Sequence, residues 1–209
     1  MRMKRKPNLA SRIEKCSHLL VAQPEALRGR WQSEFGYGEL RLELGCGKGL
    51  FTVETAKAEP EVFFAAFEKT ENVLVSALER ADREGLQNVK FVSAFVSDLA
   101  EYFAQGELAR IYLNFCDPWP SNRHAKRRLT SRSYLEQYAR ALQPGGEVHF
   151  KTDNLPFYEF SLRESEGSGF KISEDIRDLH KDGPVGVMTD YELKFYSQNA
   201  PVFRCVLKM

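Results

Sequence analysis

Apolar and polar positions along the chain alternate between two periods. Leu40 to Leu44, Val62 to Phe67, Val89 to Val92 and Ile111 to Phe115 are short apolar, aromatic or β-branched runs, as in buried strands. Between them the period lengthens. Leu50 to Ala58 reads as a helix, and Glu71 to Glu84 as another with Val73, Leu74, Ala77, Leu78 and Ala81 on one stripe, closed by Gly85. A short helical piece near Asp98 to Phe103 precedes Ile111. Ser133 to Leu142 is a further helix, which Gln143-Pro144-Gly145-Gly146 ends sharply before a fifth strand, Glu147 to Thr152. Leu155 to Ser165 is helical, Phe170 to Ser173 pairs as a sixth strand, and Val202 to Leu207 is the last. This alternation predicts an α/β fold, doubly wound around a mostly parallel seven-stranded sheet. The last strand has no long crossover before it, so it is expected to run antiparallel.

Ahead of this pattern, residues 1–33 read as a basic arm and an entry helix starting near Pro24-Glu25-Ala26-Leu27. Residues 34–209 then form the main domain. With 209 residues, 43% apolar and 28% charged, the composition is that of a soluble globular chain. No apolar run is long enough for a membrane span, and the basic start lacks the apolar stretch of a secretory signal. Cys16, Cys46, Cys116 and Cys205 are far apart, with no zinc or disulfide spacing, so a reducing cytoplasm is the expected compartment and no metal is expected. The net charge of +1 conceals two clusters. Met1 to Lys15 and Ser121 to Ser133 each carry +5, which leaves −9 for the remainder. Such clustering is the footprint of a nucleic-acid partner, although a solvated basic loop would look the same.

Three stretches carry candidate chemistry. Glu43-Leu44-Gly45-Cys46-Gly47-Lys48-Gly49 follows the first strand. It matches neither the dinucleotide spacing nor the P-loop. An acid here would repel a pyrophosphate but suits a ligand with a cationic amino group. Glu68, at the end of the second strand, is placed to accept ribose hydroxyls. Together the two acids favour S-adenosylmethionine over NAD. The second stretch, Cys116-Asp117-Pro118-Trp119-Pro120, ends the fourth strand, because the prolines forbid continuation. It sets a carboxylate and an indole at the strand tip beside Arg123, His124, Ala125, Lys126, Arg127 and Arg128. Trp119 is suited either to stack on a base or to plug the strand end. The third, Thr189-Asp190-Tyr191-Glu192, reads as a capping box or as a ligand contact, and Lys151-Thr152-Asp153-Asn154 carries the same ambiguity. The four histidines show no metal spacing, and His149 is read as structural.

On the glycine loop, the Asp117-Pro118-Trp119-Pro120 block with Arg123 to Leu129, the His149 to Asn154 segment and the Thr189 to Phe195 segment, the chain closely resembles the bacterial tRNA (guanine-N7)-methyltransferases. The resemblance spans essentially the whole chain. It implies a Rossmann-like fold and transfer of a methyl group from S-adenosylmethionine to N7 of a guanine in the tRNA variable loop, by a monomer or homodimer. By position it implies Glu43, Gly45, Gly47, Glu68, Phe95 and Asp117 as cofactor contacts and Asp117 as the catalytic acid. Asp153, Thr189, Asp190, Tyr191 and Glu192 are implied as substrate contacts, and Arg123 to Arg128 as the RNA-facing stretch. Two positions depart from the family pattern. Ser121 stands where relatives often carry a lysine, and Phe95 stands where some have an acid near the adenine, leaving only its backbone for that contact. A non-catalytic RNA-binding protein, and a methyltransferase acting on an exocyclic amine of a nucleic acid, are the alternatives.

Overall fold

The computed structural model describes residues 6–209; the first five residues of the expected basic arm lie outside the described residues. The elements in chain order are α1 (Leu9–Lys15), α2 (Trp31–Phe35), β1 (Glu39–Leu44), α3 (Leu50–Ala58), β2 (Val62–Phe67), α4 (Glu71–Arg83), β3 (Val89–Val92), β4 (Leu108–Asn114), α5 (Arg132–Ala141), β5 (Leu142–Thr152), α6 (Leu155–Ser165), β6 (Lys171–Ile176), α7 (Asp190–Ser197) and β7 (Phe203–Lys208). They build one seven-stranded sheet in the order β3-β2-β1-β4-β5-β7-β6. β1 pairs in parallel with β2 and β4, β2 with β3, and β4 with β5. β7 is antiparallel to both of its neighbours, β5 and β6, as its missing crossover predicts.

Every residue of β2 is buried, because both of its faces are covered. Phe63, Ala65 and Phe67 pack with Tyr134, Leu135 and Tyr138 of α5 and with Phe157 of α6. The alternate residues Phe64 and Ala66 pack with Val53 and Ala56 of α3 and with Leu74, Ala77 and Leu78 of α4. The period-two pleat of one strand thus divides the core into its two layers. The α4 stripe is buried as its spacing predicts, except that Val73 is only half-buried.

The entry segment departs from a single helix. Pro24–Leu27 is a 3-10 turn, and α2 begins only at Trp31. The reason is tertiary. Trp31 is fully buried, its Nε1 donates to the Tyr102 carbonyl at 2.9 Å, and its ring stacks on Phe103. The buried Glu107 carboxylate accepts from the backbone N–H groups of Gly29, Trp31 and Ala104, which holds the turn in place. Farther back, Val21 donates to the Phe91 carbonyl, so the chain covers the otherwise open edge at β3. The second departure is at Gln143 to Gly146. These residues do not separate α5 from β5. The strand starts directly at Leu142 opposite Leu108, and the pairing jumps to Arg110 opposite Glu147. The four residues bulge from the ladder instead of forming a loop.

Gly49 sets the distance between two helices. It caps α3 at φ 77°, and a Cβ there would lie 2.5 Å from the Cβ of Ala77 on α4. Both the left-handed backbone and the clash are steric costs. Gly49→Ala is expected to destabilise the fold by about 3 kcal/mol, combining αL strain with overpacking. Gly38→Ala, where no atom lies within 4 Å of the new methyl, is the control. Urea unfolding of both variants measures the difference.

Candidate active site at the carboxyl edge of the sheet

The strand order reverses between β1 and β4, which lie side by side with Glu43 in register with Tyr112. At such a switch point the loops leaving the two strands diverge and open a crevice. Two cavities occupy it. One of about 730 Å³ is lined by Gly45, Glu68, Lys69, Phe95, Phe115, Asp117, Trp119, Lys126 and Arg127, among others. The second, of about 400 Å³, is lined by Glu43, Gly45, Gly47, Asn114, Phe115, Thr189, Asp190, Tyr191 and Lys194, among others. Gly45 and Phe115 border both cavities. The glycine loop and the β4 tip therefore share one crevice.

Glu43 lies at the floor. It is buried; its Oε1 accepts from Asn114 Nδ2 at 2.9 Å and its Oε2 accepts from the Thr52 hydroxyl. Burial pushes its carboxyl above the ordinary range, while these two hydrogen bonds and the Lys151 charge pull it back. The buried Oδ1 of Asn114 has no hydrogen-bond partner in the protein. A buried carboxylate next to an unpartnered carbonyl oxygen is an acceptor pair that fits an ammonium donor and does not fit a phosphate. Glu68 is half-buried and accepts from the backbone N–H of Thr70 at 2.8 Å and of Gly47 at 3.3 Å. The loop itself is anchored by Gly45 and Cys46, whose N–H groups donate to the Phe67 carbonyl. These residues fit the amino acid and ribose ends of S-adenosylmethionine. Phe95 is 60% exposed and presents an apolar ring to the larger cavity, without a carboxylate for an adenine amine.

The β4 tip is conformationally tense. Phe115 and Trp119 both have positive φ, at 51° and 41°, costing about 1–2 kcal/mol each for a residue with a Cβ. Asp117, between them, projects an exposed carboxylate whose nearest cation is Lys69 Nζ at 3.4 Å. Cys116 lines the same cavity, but burial, and next the Asp117 charge, push its thiol up to about 12. It stays protonated at neutral pH and is no nucleophile.

The cationic stretch divides in two. Arg123, His124, Ala125, Lys126 and Arg127 lie in a turn, Asn122–Arg127, with no buried residue. The Arg127 guanidinium lies 5.1 Å from the Trp119 ring centre and the His124 ring meets the same indole edge-on. Arg128 differs from the sequence expectation. It is buried; its Nε and NH2 donate to the carbonyls of Pro118 and Trp119, and its guanidinium sits 4.2 Å from the Phe160 ring centre. Arg128 thus holds the Pro-Trp-Pro loop from inside.

The expected substrate contacts also divide. Thr189, Asp190 and Tyr191 line the smaller cavity. Tyr191 is 55% exposed, with its ring beside Phe115 and Phe195. Glu192 stands behind that wall, fully buried, and closes the capping box with Thr189. The structure therefore supports the capping reading for Glu192. Asp153 is exposed at the β5 tip and lines neither cavity. Thr52, Asn114 and Lys69 escaped the sequence reading because their partners lie 9, 71 and 48 residues away. The apolar run at β4 that ends in a polar Asn was the one available signal. His149 hydrogen-bonds Glu147 and is held neutral by burial, at about 4. Among the described residues no group of three or more potential metal ligands is found.

Comparison with known proteins agrees with this geometry. A family model described as "Putative methyltransferase" matches residues 38–205. The tRNA (guanine-N(7)-)-methyltransferase of Geobacillus kaustophilus (strain HTA426) is 44% identical over 207 residues, 98% of this chain and 95% of that protein. That of Geobacillus thermodenitrificans (strain NG80-2) is also 44% identical over 207 residues, covering 98% and 96%. Among solved structures, the 16S rRNA methyltransferase KamB aligns at TM-score 0.63 with 16% identity, covering 88% of this chain and 91% of that one. A SAM dependent methyltransferase from Aquifex aeolicus aligns at 0.57 with 14% identity, covering 97% and 99%. The structural matches, at such low identity, speak for the fold, while the sequence matches cover 98% of the chain at 44% identity: the chain belongs to the tRNA (guanine-N7)-methyltransferase family.

Proposed function

We propose that this chain transfers the methyl group of S-adenosylmethionine to N7 of a guanine in tRNA. The observation that carries the reading is the exposed Asp117 carboxylate at the β4 tip, in the cavity bordered by Gly45 and Glu68. The names of relatives that match 98% of the chain support it. S-adenosylmethionine, when bound, would supply a sulfonium methyl whose carbon a nitrogen lone pair can attack directly, the electron pair of the broken carbon–sulfur bond leaving with the neutral thioether of S-adenosylhomocysteine.

The protein's own residues have three tasks. Glu43, Asn114, Gly45, Gly47 and Glu68 hold the cofactor's polar ends. Asp117 accepts hydrogen bonds from guanine N1–H and the exocyclic amine, which turns N7 inward. Because N7 carries no proton at neutral pH, no general base is needed, and no histidine is found among the described residues lining either cavity. As positive charge develops on the base, the Asp117 carboxylate stabilises it more than it stabilises the ground state. Lys69 must yield first. An exposed ion pair contributes at most about 1 kcal/mol, so an incoming base can displace it. Lys126 and Arg127 supply phosphate contacts at the mouth. Exposed Asp153 and the Thr189 to Tyr191 wall are read as substrate contacts, and Phe95 as the surface under the adenine. All four cysteines are free, three of them buried, which suits a reducing cytoplasm.

Incubation with tRNA and labelled S-adenosylmethionine, followed by nucleoside analysis, is expected to yield N7-methylguanosine. Methylated adenosine or cytidine, or no product, would sink the reading. Asp117→Ala is expected to lower kcat by at least about 10²-fold, the loss typical of one transition-state charge contact, with calorimetric cofactor affinity almost unchanged. Arg127→Gln is expected to reduce the salt dependence of tRNA binding by about one unit of slope. Arg128→Gln should leave that slope intact and instead lower the unfolding midpoint, because it removes the clamp on the Pro-Trp-Pro loop.

A further inference from the structure

Behind the wall of the smaller cavity lies a buried charge cluster that plays no part in the proposed chemistry. Its centre is Glu192, whose Oε1 accepts from His180 Nε2 at 2.9 Å and whose Oε2 accepts from Lys151 Nζ at 2.6 Å and from the Thr189 N–H at 3.1 Å. Each partner also holds a backbone atom of the segment before α7. Lys151 donates to the Val187 carbonyl at 3.2 Å, and His180 Nδ1 accepts from the Val185 N–H at 3.2 Å. That second bond fixes the tautomer: Nδ1 is bare and the proton resides on Nε2, facing Glu192.

Apart from Val187, which packs against the core, the segment these bonds hold has little else to order it. Residues 181–188 form no helix or strand, and Gly183 and Gly186 have φ of 122° and 64°. Yet it leads directly into Thr189, Asp190 and Tyr191 at the cavity. On the outer side, Arg80 of α4 meets Asp190 at 3.0 Å. His180 is buried at the start of the segment with its ring edge-on to Tyr196 of α7, so it joins the two ends of the excursion. Lys151 comes from the sheet and supplies the fixed reference.

We propose that His180 is a positioning residue for the methyl acceptor. It touches neither substrate nor cofactor. Acting through Glu192 and the Val185 backbone, it sets where Thr189, Asp190 and Tyr191 stand against the crevice, and so governs how tightly the target nucleotide is engaged. The proposal rests on the reading that these three residues face the tRNA. Lys151 makes the poorer probe, because its loss would leave a buried carboxylate without its counter-charge.

The test compares wild type with His180→Ala and His180→Gln, with tRNA and S-adenosylmethionine as probes. In His180→Ala, kcat/KM for tRNA is expected to fall by about 10–100-fold, the scale of a small misplacement, mostly through KM. Calorimetric affinity for S-adenosylmethionine is expected to stay at the wild-type value. His180→Gln, which keeps a donor for Glu192, is expected to recover part of the loss and is the variant to use if the alanine form does not fold. Hydrogen exchange at the amides of Val185 to Tyr191 should accelerate in His180→Ala and not at the glycine loop. Wild-type kcat/KM with unaltered exchange in either variant would overturn the proposal, as would cofactor affinity lost in step with tRNA engagement. A wild-type protein that makes no N7-methylguanosine would overturn the activity reading itself. Because the exchange measurement does not depend on turnover, the two failures can be told apart.

Discussion

The crevice depends on the hydrogen bonding of one buried carboxylate. Glu43 lies on β1, and its two oxygens are met by Asn114 from β4 and Thr52 from α3. An ionised carboxylate removed from water is costly unless each lone pair is answered. The cost is offset only if β1, β4 and α3 keep their relative positions. The group proposed to meet the cofactor's ammonium therefore also ties together the three elements around it. Asn114 commits its amide nitrogen to Glu43 and leaves its buried oxygen without a partner in the protein.

From that floor the site rises asymmetrically. On one side the β4 tip is forced into left-handed backbone at Phe115 and Trp119, and the strain is sustained by what surrounds it. Arg128 is one such support, because two carbonyls of the loop accept from its guanidinium while an aromatic ring covers the ion. Planar, multidentate and permanently charged, arginine suits this role better than lysine. Asp117 can then remain exposed without the loop having to fold around it. On the other side, the wall of Thr189 to Tyr191 opens α7 directly after residues 181–188, which form no helix or strand, and the groups packed beneath that segment hold it.

A single basic run in sequence thus does two jobs that differ in physics. Lys126 and Arg127 line the larger cavity, where the proposed function assigns them phosphate contacts. Arg128, one residue on, is turned inward where the turn Asn122–Arg127 ends and the chain becomes extended. Charge counting cannot separate the two, because the direction of a side chain in an irregular loop is set by the surfaces it packs against.

Much was decided by local pattern alone. The strand and helix order, the antiparallel last strand, the glycine turn after β1, the proline break after β4 and the capping box at Thr189 all follow from periodicities and backbone restrictions that act over a few residues. What only the tertiary structure decided has a common physical cause, which is satisfaction of buried polar groups across long sequence separations. Glu107 gathers three backbone N–H groups and shapes the entry segment into a turn around Trp31 where a helix was expected. Pairing with Leu108 draws Leu142 into β5 and leaves Gln143 to Gly146 as a bulge. Glu192 reads in sequence first as a cap and second as a ligand contact, and what the sequence does not show is that Lys151 and His180, 41 and 12 residues away, meet on its carboxylate and bury it.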